Sequence, residues 1–247
     1  MKTIGIIPAR YESSRFPGKP LVDIGGKSMI QRVYEQVKGC PSLSEVIVAT
    51  DDTRIEEHVR SFAGNVIMTS AAHQSGTDRC AEVVSKISGF DIAINIQGDE
   101  PFISPLQMEL LSNLFHDSAT EIGTLVKKID SPDDLFNESI PKVVVNSKKE
   151  AMYFSRQTIP FQRGVEQNDW SNNHIYFKHI GIYGYTVDVL LEITKLPVSS
   201  YEKAEGLEQL RWLENGYKIK IAETEFDTIA VDHPEDVELI KKTFFST

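Results

Sequence analysis

Apolar residues fall into two recurring patterns over the first half of the chain. Residues 4–7 (IGII), 45–50 (EVIVAT), 65–68 (NVIM) and 91–96 (DIAINI) are short, nearly continuous apolar runs rich in β-branched side chains. Such runs predict strands buried on both faces, as in a parallel sheet, rather than surface strands that alternate. Between them the apolar positions recur at helical spacing. Met29, Ile30, Val33 and Val37 mark a helix over 28–38, and Asp51-Asp52-Thr53 can cap a second one reaching about residue 62. Thr77 or Asp78 is a natural cap for a third, beginning with Ala81, Val83 and Val84, and a fourth runs over 105–115. Repeated strand, loop and helix predict an α/β fold with a Rossmann-like, mostly parallel sheet flanked by helices.

The pattern changes after a strand at 122–126. A polar stretch, KKIDSPDDLFNESI, leads to two short apolar runs, 143–146 and 151–155, separated by the charged residues 147–150, which predicts a hairpin. Residues 164–173 are polar and predict a mobile or partner-contacting excursion. Over 179–185, Ile180, Ile182 and Gly184 alternate with His179, Gly181, Tyr183 and Tyr185, which predicts a strand with one polar face. That face suits either a sugar or an aromatic contact between subunits. A helix over 188–194, a break at Pro197, a helix buried by Leu207, Leu210, Trp212 and Leu213 and ended by Gly216, and an edge-like strand at 218–222 complete the pattern before a last helix behind Asp232.

The chain has 247 residues, 40% of them hydrophobic, enough to bury one large α/β domain or two smaller ones. A formal charge of -10 argues against a polyanion gripped along its backbone. Cys40 and Cys80 have neither the number for a disulfide framework nor zinc-ligand spacing, and read as thiols in a reducing compartment. The amino end lacks the apolar length of a secretion signal and no segment has the length to span a bilayer, so the expected location is the cytoplasm.

Against the acidic background, basic residues concentrate in one loop. Between Pro8 and Pro20 the chain has no apolar periodicity but sets Arg10, Arg15 and Lys19 among Ser13, Ser14 and Gly18, directly after the first strand. Ligands of open parallel sheets sit outside the carboxyl ends of the strands, so this loop is placed to hold a phosphate chain; a solvated basic loop is the alternative. The stretch from His73 to Arg79 supplies many donors and acceptors at a helix start, either as an anion or carbonyl-oxygen site or as a capping loop alone. Asp99 follows the fourth strand in QGDEP, where it can serve as a magnesium ligand or as a turn residue, while Glu100 reads as structural. Arg156 has the chemistry to clamp a carboxylate bidentately, and His179 to share a hydroxyl proton.

The motifs PARYESSRFPGKPL, LVDIGGKSMIQR, HQSGTDR, NIQGDEPF, FSRQTIP, HIGIYGY, EGLEQLRWLE and IAVDHPED span nearly the whole chain. Together they resemble the sugar-activating cytidylyltransferases, most closely those that act on the acidic sugar 3-deoxy-manno-octulosonate (Kdo). The resemblance implies a single nucleotidyltransferase domain over residues 1–247, of the nucleotide-diphospho-sugar transferase fold, with about 142–186 forming a sugar-binding and dimerisation subregion. It implies a homodimer that joins CTP to Kdo, with Mg2+ as cofactor, to give CMP-Kdo and pyrophosphate for lipopolysaccharide biosynthesis. It assigns catalysis to Arg10, Lys19 and Asp99, and nucleotide binding to Pro8, Ala9, Arg10, Ser13, Arg15, Lys19, Ser75, Gly76 and Asp99, with Ser75 and Gly76 against the base. Gln97, Arg156, His179, Tyr183, Glu208 and Gln209 fall to the sugar, and Asp99 with Asp232 to the metal. Asp78 and Arg79 belong to a supporting network.

On their residues alone, Glu208 and Gln209 read as exposed helix positions, and Asp232 or His233 as a helix cap. His233 stands where the family carries threonine, with the carboxylate retained. The chemistry implied is in-line attack of a sugar hydroxyl on the α-phosphorus without a covalent enzyme intermediate. A sibling enzyme for another acid sugar, such as an amino-substituted Kdo or a sialic acid, would keep the same phosphate machinery. A nucleotide-binding regulatory module would have no physical reason to retain Lys19, Asp99 and Asp232 together.

Overall fold

A computed structural model describes residues 1–12, 16–227 and 229–245. In chain order the elements are β1 (Thr3–Ala9), α1 (Met29–Lys38), β2 (Glu45–Thr50), α2 (Thr53–Ser61), β3 (Val66–Met68), α3 (Gly76–Lys86), β4 (Ile92–Asn95), α4 (Pro105–Leu114) and β5 (Ile122–Lys128). They continue with α5 (Pro132–Phe136), β6 (Lys142–Val145), β7 (Ala151–Ser155), α6 (Trp170–Asn173), β8 (Phe177–Thr186), α7 (Val187–Ile193), α8 (Ser200–Glu205), α9 (Gln209–Glu214), β9 (Ile219–Glu223) and α10 (Pro234–Phe245). The chain divides into two compact units: Met1–Glu109 with Thr186–Thr194 and Thr228–Thr247, and Leu110–Tyr185 with Lys195–Asp227. The subregion expected at 142–186 falls in the second unit up to Tyr185.

In the first unit, β1 pairs in parallel with β2 on one side and β4 on the other, and β2 pairs in parallel with β3. Ile4, Ile6 and Ile7 of β1, Val48 and Ala49 of β2, and Ala93 and Ile94 of β4 are fully buried, as the continuous apolar runs require, but β3 departs from that expectation: it ends the strand order and Val66, Ile67 and Met68 are only half-buried. Helix α1 starts at Ser28, whose hydroxyl accepts the Gln31 amide, and buries Met29, Ile30, Val33, Tyr34 and Val37. The start of α3 differs from the sequence expectation: Ser75, not Thr77 or Asp78, is the cap. Its hydroxyl accepts the Asp78 amide while the Asp78 carboxylate accepts the Ser75 amide, a reciprocal box that satisfies two otherwise unpaired donors.

In the second unit, β5 pairs antiparallel with β8 and in parallel with β9, and the expected hairpin is β6 with β7, antiparallel from Lys142↔Ser155 to Val145↔Ala151. Within the polar segment 164–173, Trp170 starts α6, is 3% exposed, and donates its indole N–H to the Val165 carbonyl. It packs with Ile129, Leu135 and Tyr176, so one tryptophan in a polar run organises the segment. On the expected polar face of β8, His179 and Gly181 are half-buried, while Tyr183 and Tyr185 are buried with their rings roughly perpendicular to that of Trp212.

Candidate active site

The residues expected to hold the nucleotide lie in the first unit, several of them at the carboxyl ends of β1 and β4. Pro8 and Ala9 close β1, and Gly98 follows β4 so closely that a Cβ there would stand 2.7 Å from the Pro8 carbonyl oxygen. Only glycine permits that approach. A Cβ on Gly76 would meet the Pro8 ring at 3.3 Å and the Asn95 amide at 3.4 Å, so Ser75 and Gly76 at the head of α3 lie against the same strand ends. Arg79 behind them is 1% exposed and donates to Asp51 at 3.0 Å and to the Thr69 hydroxyl, the supporting role expected for it.

Lys19 joins three segments distant in sequence. Its Nζ donates to Asp99 Oδ2 at 2.8 Å and to the Val231 carbonyl at 2.9 Å, and the Val231 amide donates to the Asp99 carbonyl at 2.9 Å. The turn after β4 and the segment ending at Asp232 are therefore tied by backbone pairing, with the ammonium across them. The amides of Asp232 and His233 both donate to Asp236 Oδ2 at 2.8 Å, so the first turn of α10 reaches back to hold the residue that precedes it. Glu100, beside Asp99, is 6% exposed. Burial first, and the Asp99 charge second, push its carboxyl up to about 8, so at neutral pH it is mostly protonated and adds little repulsion to the phosphate half.

Arg10 is exposed and Gln97 half-buried beside this turn. Ser13 and Arg15 lie outside the described residues. Tyr11, not singled out by the sequence reading, anchors the loop: the Arg54 guanidinium lies 3.3 Å from the centre of its ring, its carbonyl accepts the Gly18 amide, and Gly18 takes φ 74 against its hydroxyl end.

Asp99 and Asp232 supply hard oxygen donors of the kind magnesium takes, usually one or two carboxylates with the substrate's phosphates completing the shell. Lys19 engages one oxygen of Asp99, leaving Oδ1 outside that ion pair, and the paired backbones hold the two acidic turns together. Among the described residues no group of three or more His, Cys, Asp or Glu side chains could hold a metal ion by itself. Two carboxylates would leave most of a cation's shell to phosphate oxygens.

The remaining expected residues lie in the second unit. His179 Nε2 is 3.1 Å from Thr124 Oγ1, and that hydroxyl donates to the Ile182 carbonyl at 2.7 Å. Thr124 therefore accepts from the histidine, which assigns the proton to Nε2 and leaves Nδ1 as the acceptor. Desolvation against Phe154 and Tyr183 pushes the imidazole down to about 3, so it is neutral at any working pH. Gln209 Nε2 is buried without a hydrogen-bond partner, and the Tyr183 hydroxyl is buried beside the Thr124 hydroxyl. A partnerless buried polar atom among the expected sugar contacts is what a ligand hydroxyl would satisfy. Gln209 is 5% exposed, which corrects its reading as an exposed helix residue, and Glu208 beside it is half-buried.

Arg156 is more constrained than a free clamp. Its Nε donates to the Glu205 carbonyl at 2.7 Å, and its terminal nitrogens reach the carbonyls of Glu138 at 3.2 Å and Gly206 at 3.4 Å. Its own carbonyl accepts from Lys142, a fully buried lysine whose Nζ also donates to the Asn137 carbonyl. Burial lowers the Lys142 pKa. Sequence reasoning missed Lys142 and Thr124 because each stands in an ordinary strand pattern that carries no sign of its partners.

A basic loop leaving the carboxyl edge of a parallel sheet, a lysine bridging two acidic turns and glycines that admit close backbone approach suit an anionic ligand outside the strand ends of an α/β protein. Residues 4–221 match the family model described as Cytidylyltransferase. The chain is 59% identical to the 3-deoxy-manno-octulosonate cytidylyltransferase of Parabacteroides distasonis and 58% identical to that of Phocaeicola vulgatus. These matches cover 96% of this chain in both cases, and 96% and 95% of the relatives. A solved structure of CMP:2-keto-3-deoxy-manno-octonic acid synthetase complexed with CTP superposes with a TM-score of 0.91 at 45% identity, covering 98% of each chain. The chain belongs to the cytidylyltransferase family, in the branch of the 3-deoxy-manno-octulosonate cytidylyltransferases.

Proposed function

We propose that this chain activates Kdo with CTP, forming CMP-Kdo and releasing pyrophosphate, as a step towards lipopolysaccharide. The observation that carries the reading is the Lys19 ammonium placed on Asp99 and on the carbonyl that precedes Asp232. Both reactants are anions, so the first task is to cancel their repulsion. Lys19 and the opening loop's arginines, Arg10 and Arg15, do this for the triphosphate, and Ser75 and Gly76 present backbone groups to the base. A sugar hydroxyl oxygen bonds to the α-phosphorus, the bond from that phosphorus to the bridging oxygen breaks, pyrophosphate leaves and the hydroxyl proton passes to solvent. Magnesium on Asp99 and Asp232 would supply charge neutralisation and lower the hydroxyl's pKa. Neutral His179 accepts a hydrogen bond from a sugar hydroxyl at Nδ1, while Tyr183 and Gln209 offer their buried polar atoms to the sugar. Arg156 holds its loop against three carbonyls and presents its remaining positive charge to the carboxylate.

The second unit supports a homodimer in this reading. Phe161 is 73% exposed and Phe136 40%, both packed on buried Trp170, and Ile175 nearby in sequence is 56% exposed. We place the reaction in the cytoplasm; no helix among the described residues is long and apolar enough to cross a membrane. The test is pyrophosphate release from CTP and magnesium with a panel of Kdo, an amino-substituted Kdo and a sialic acid. Turnover led by Kdo is the expected result. Turnover only with another sugar would move the substrate, and CTP binding without release would remove the activity.

A further inference from the structure

The last helix does more than close the chain. Its residues Val237 and Ile240 pack with Ile24, Met29 and Val231, and Phe16, Val22 and Phe102 join the same cluster. This small core gathers the opening loop, the turn that carries Asp99 and the segment that ends at Asp232. At the far end of α10 the contact recurs. Phe244 stacks on Phe102 with ring centres 4.3 Å apart, and Phe245 stands 6.2 Å from the same ring. Phe102 follows Asp99 by three residues, within one turn of chain.

Phe245 also reaches the exit of the opening loop. Gly25 takes φ 61 there, and a Cβ on it would lie 2.8 Å from the Phe245 ring. The Arg32 guanidinium lies 4.4 Å from the centre of that ring, and donates to the carbonyls of Ile24 and, at 2.7 Å, Gly25. Phe244 and Phe245 are 47% and 37% exposed, so they contribute less to the core than a buried aromatic would. Their contacts nonetheless fall on the two segments that carry Lys19 and Asp99.

We propose that Phe244 and Phe245 act as a positioning latch for the transfer step: by holding the Phe102 turn and the Gly25 turn to α10, they set Asp99 against Lys19 and Asp232. The inference rests on the proposed function, which assigns those three residues to the chemistry. Helix α10 is tied to the site at both ends. Next to its start, the Val231 amide and carbonyl meet Asp99 and Lys19; at its finish, Phe244 meets Phe102. A shift of α10 would therefore move Asp232 and the Asp99 turn by different amounts, and small misplacements of reacting groups cost large factors in rate.

The experiment compares wild type with Phe244→Ala, Phe245→Ala and Phe244→Tyr by steady-state pyrophosphate release, equilibrium CTP binding and thermal melting. The alanine variants are expected to lose on the order of ten-fold in kcat, with CTP affinity changed less than about two-fold and only a few degrees lost in Tm. Phe244→Tyr keeps the stack and is expected to restore kcat. Unchanged kcat in the alanine variants overturns the latch, as does a kcat loss matched by lost CTP binding or one that tyrosine does not rescue. Failure of wild type to release pyrophosphate with any acidic sugar would instead overturn the proposed function, so the two failures are distinct.

Discussion

Replacing Lys19 tests the centre of the candidate site. Its Nζ lies 2.8 Å from Asp99 and 2.9 Å from the Val231 carbonyl, with the two side chains only 16% and 29% exposed. Lys19→Ala removes a cation from a water-poor position where negative charge develops on the phosphates. Removal of one such donor costs about 3–4 kcal/mol of transition-state stabilisation, or roughly a hundred- to a thousand-fold in kcat. The fold loses less. A partly solvated ion pair and one hydrogen bond together contribute about 1–2 kcal/mol, which moves Tm by only a few degrees in a chain of this size. Pyrophosphate release at saturating CTP and Kdo, read beside a melting curve, separates the two effects, and Lys19→Met retains the aliphatic stem while removing the charge. A kcat within about three-fold of wild type in both variants would refute the reasoning, because that factor corresponds to less than 1 kcal/mol.

Asp99→Ala should abolish metal-dependent turnover while the chain still melts cooperatively; retained activity would remove Asp99 from the metal site. Tyr183→Phe should raise KM for the sugar by roughly ten-fold, the worth of one buried hydrogen bond, and leave the CTP affinity nearly unchanged. An unaltered sugar KM would take Tyr183 out of the pocket. Gly98→Ala forces a Cβ to within 2.7 Å of a backbone oxygen, so Tm should fall by several degrees for a cost of about 1–3 kcal/mol; an unchanged melting curve would show that the strand ends yield freely. The pH dependence of stability follows from His179, whose folded-state value near 3 lies below the unfolded value of about 6.5. A lowered folded value means the unfolded chain binds the proton first, so this stability is complete above pH 6.5 and is lost as pH falls towards 3. At pH 4.5 the loss reaches at most about 3 kcal/mol, less with the residue's remaining solvent access, and His179→Gln should flatten Tm between pH 6.5 and 4.5. An equal slope in that variant would contradict the assignment.

Much of this protein is local and was legible along the chain. Continuous β-branched runs specify the buried strands β1, β2 and β4, helical spacing specifies the stripe of α1, and the acidic cap at Asp52 specifies the start of α2, because each pattern is read within a few neighbouring residues. The pairing of Lys19 with Asp99, 80 positions apart, and with Val231, 212 positions apart, is of another kind: tertiary structure alone shows it as a contact. So it is with the neutral state of His179, the buried Lys142 that receives no warning from its strand pattern, and the commitment of Arg156 to three carbonyls. Charge state and hydrogen-bond partners depend on what the fold places within about 3–4 Å, and that neighbourhood is set by chain closure over long separations rather than by composition or period.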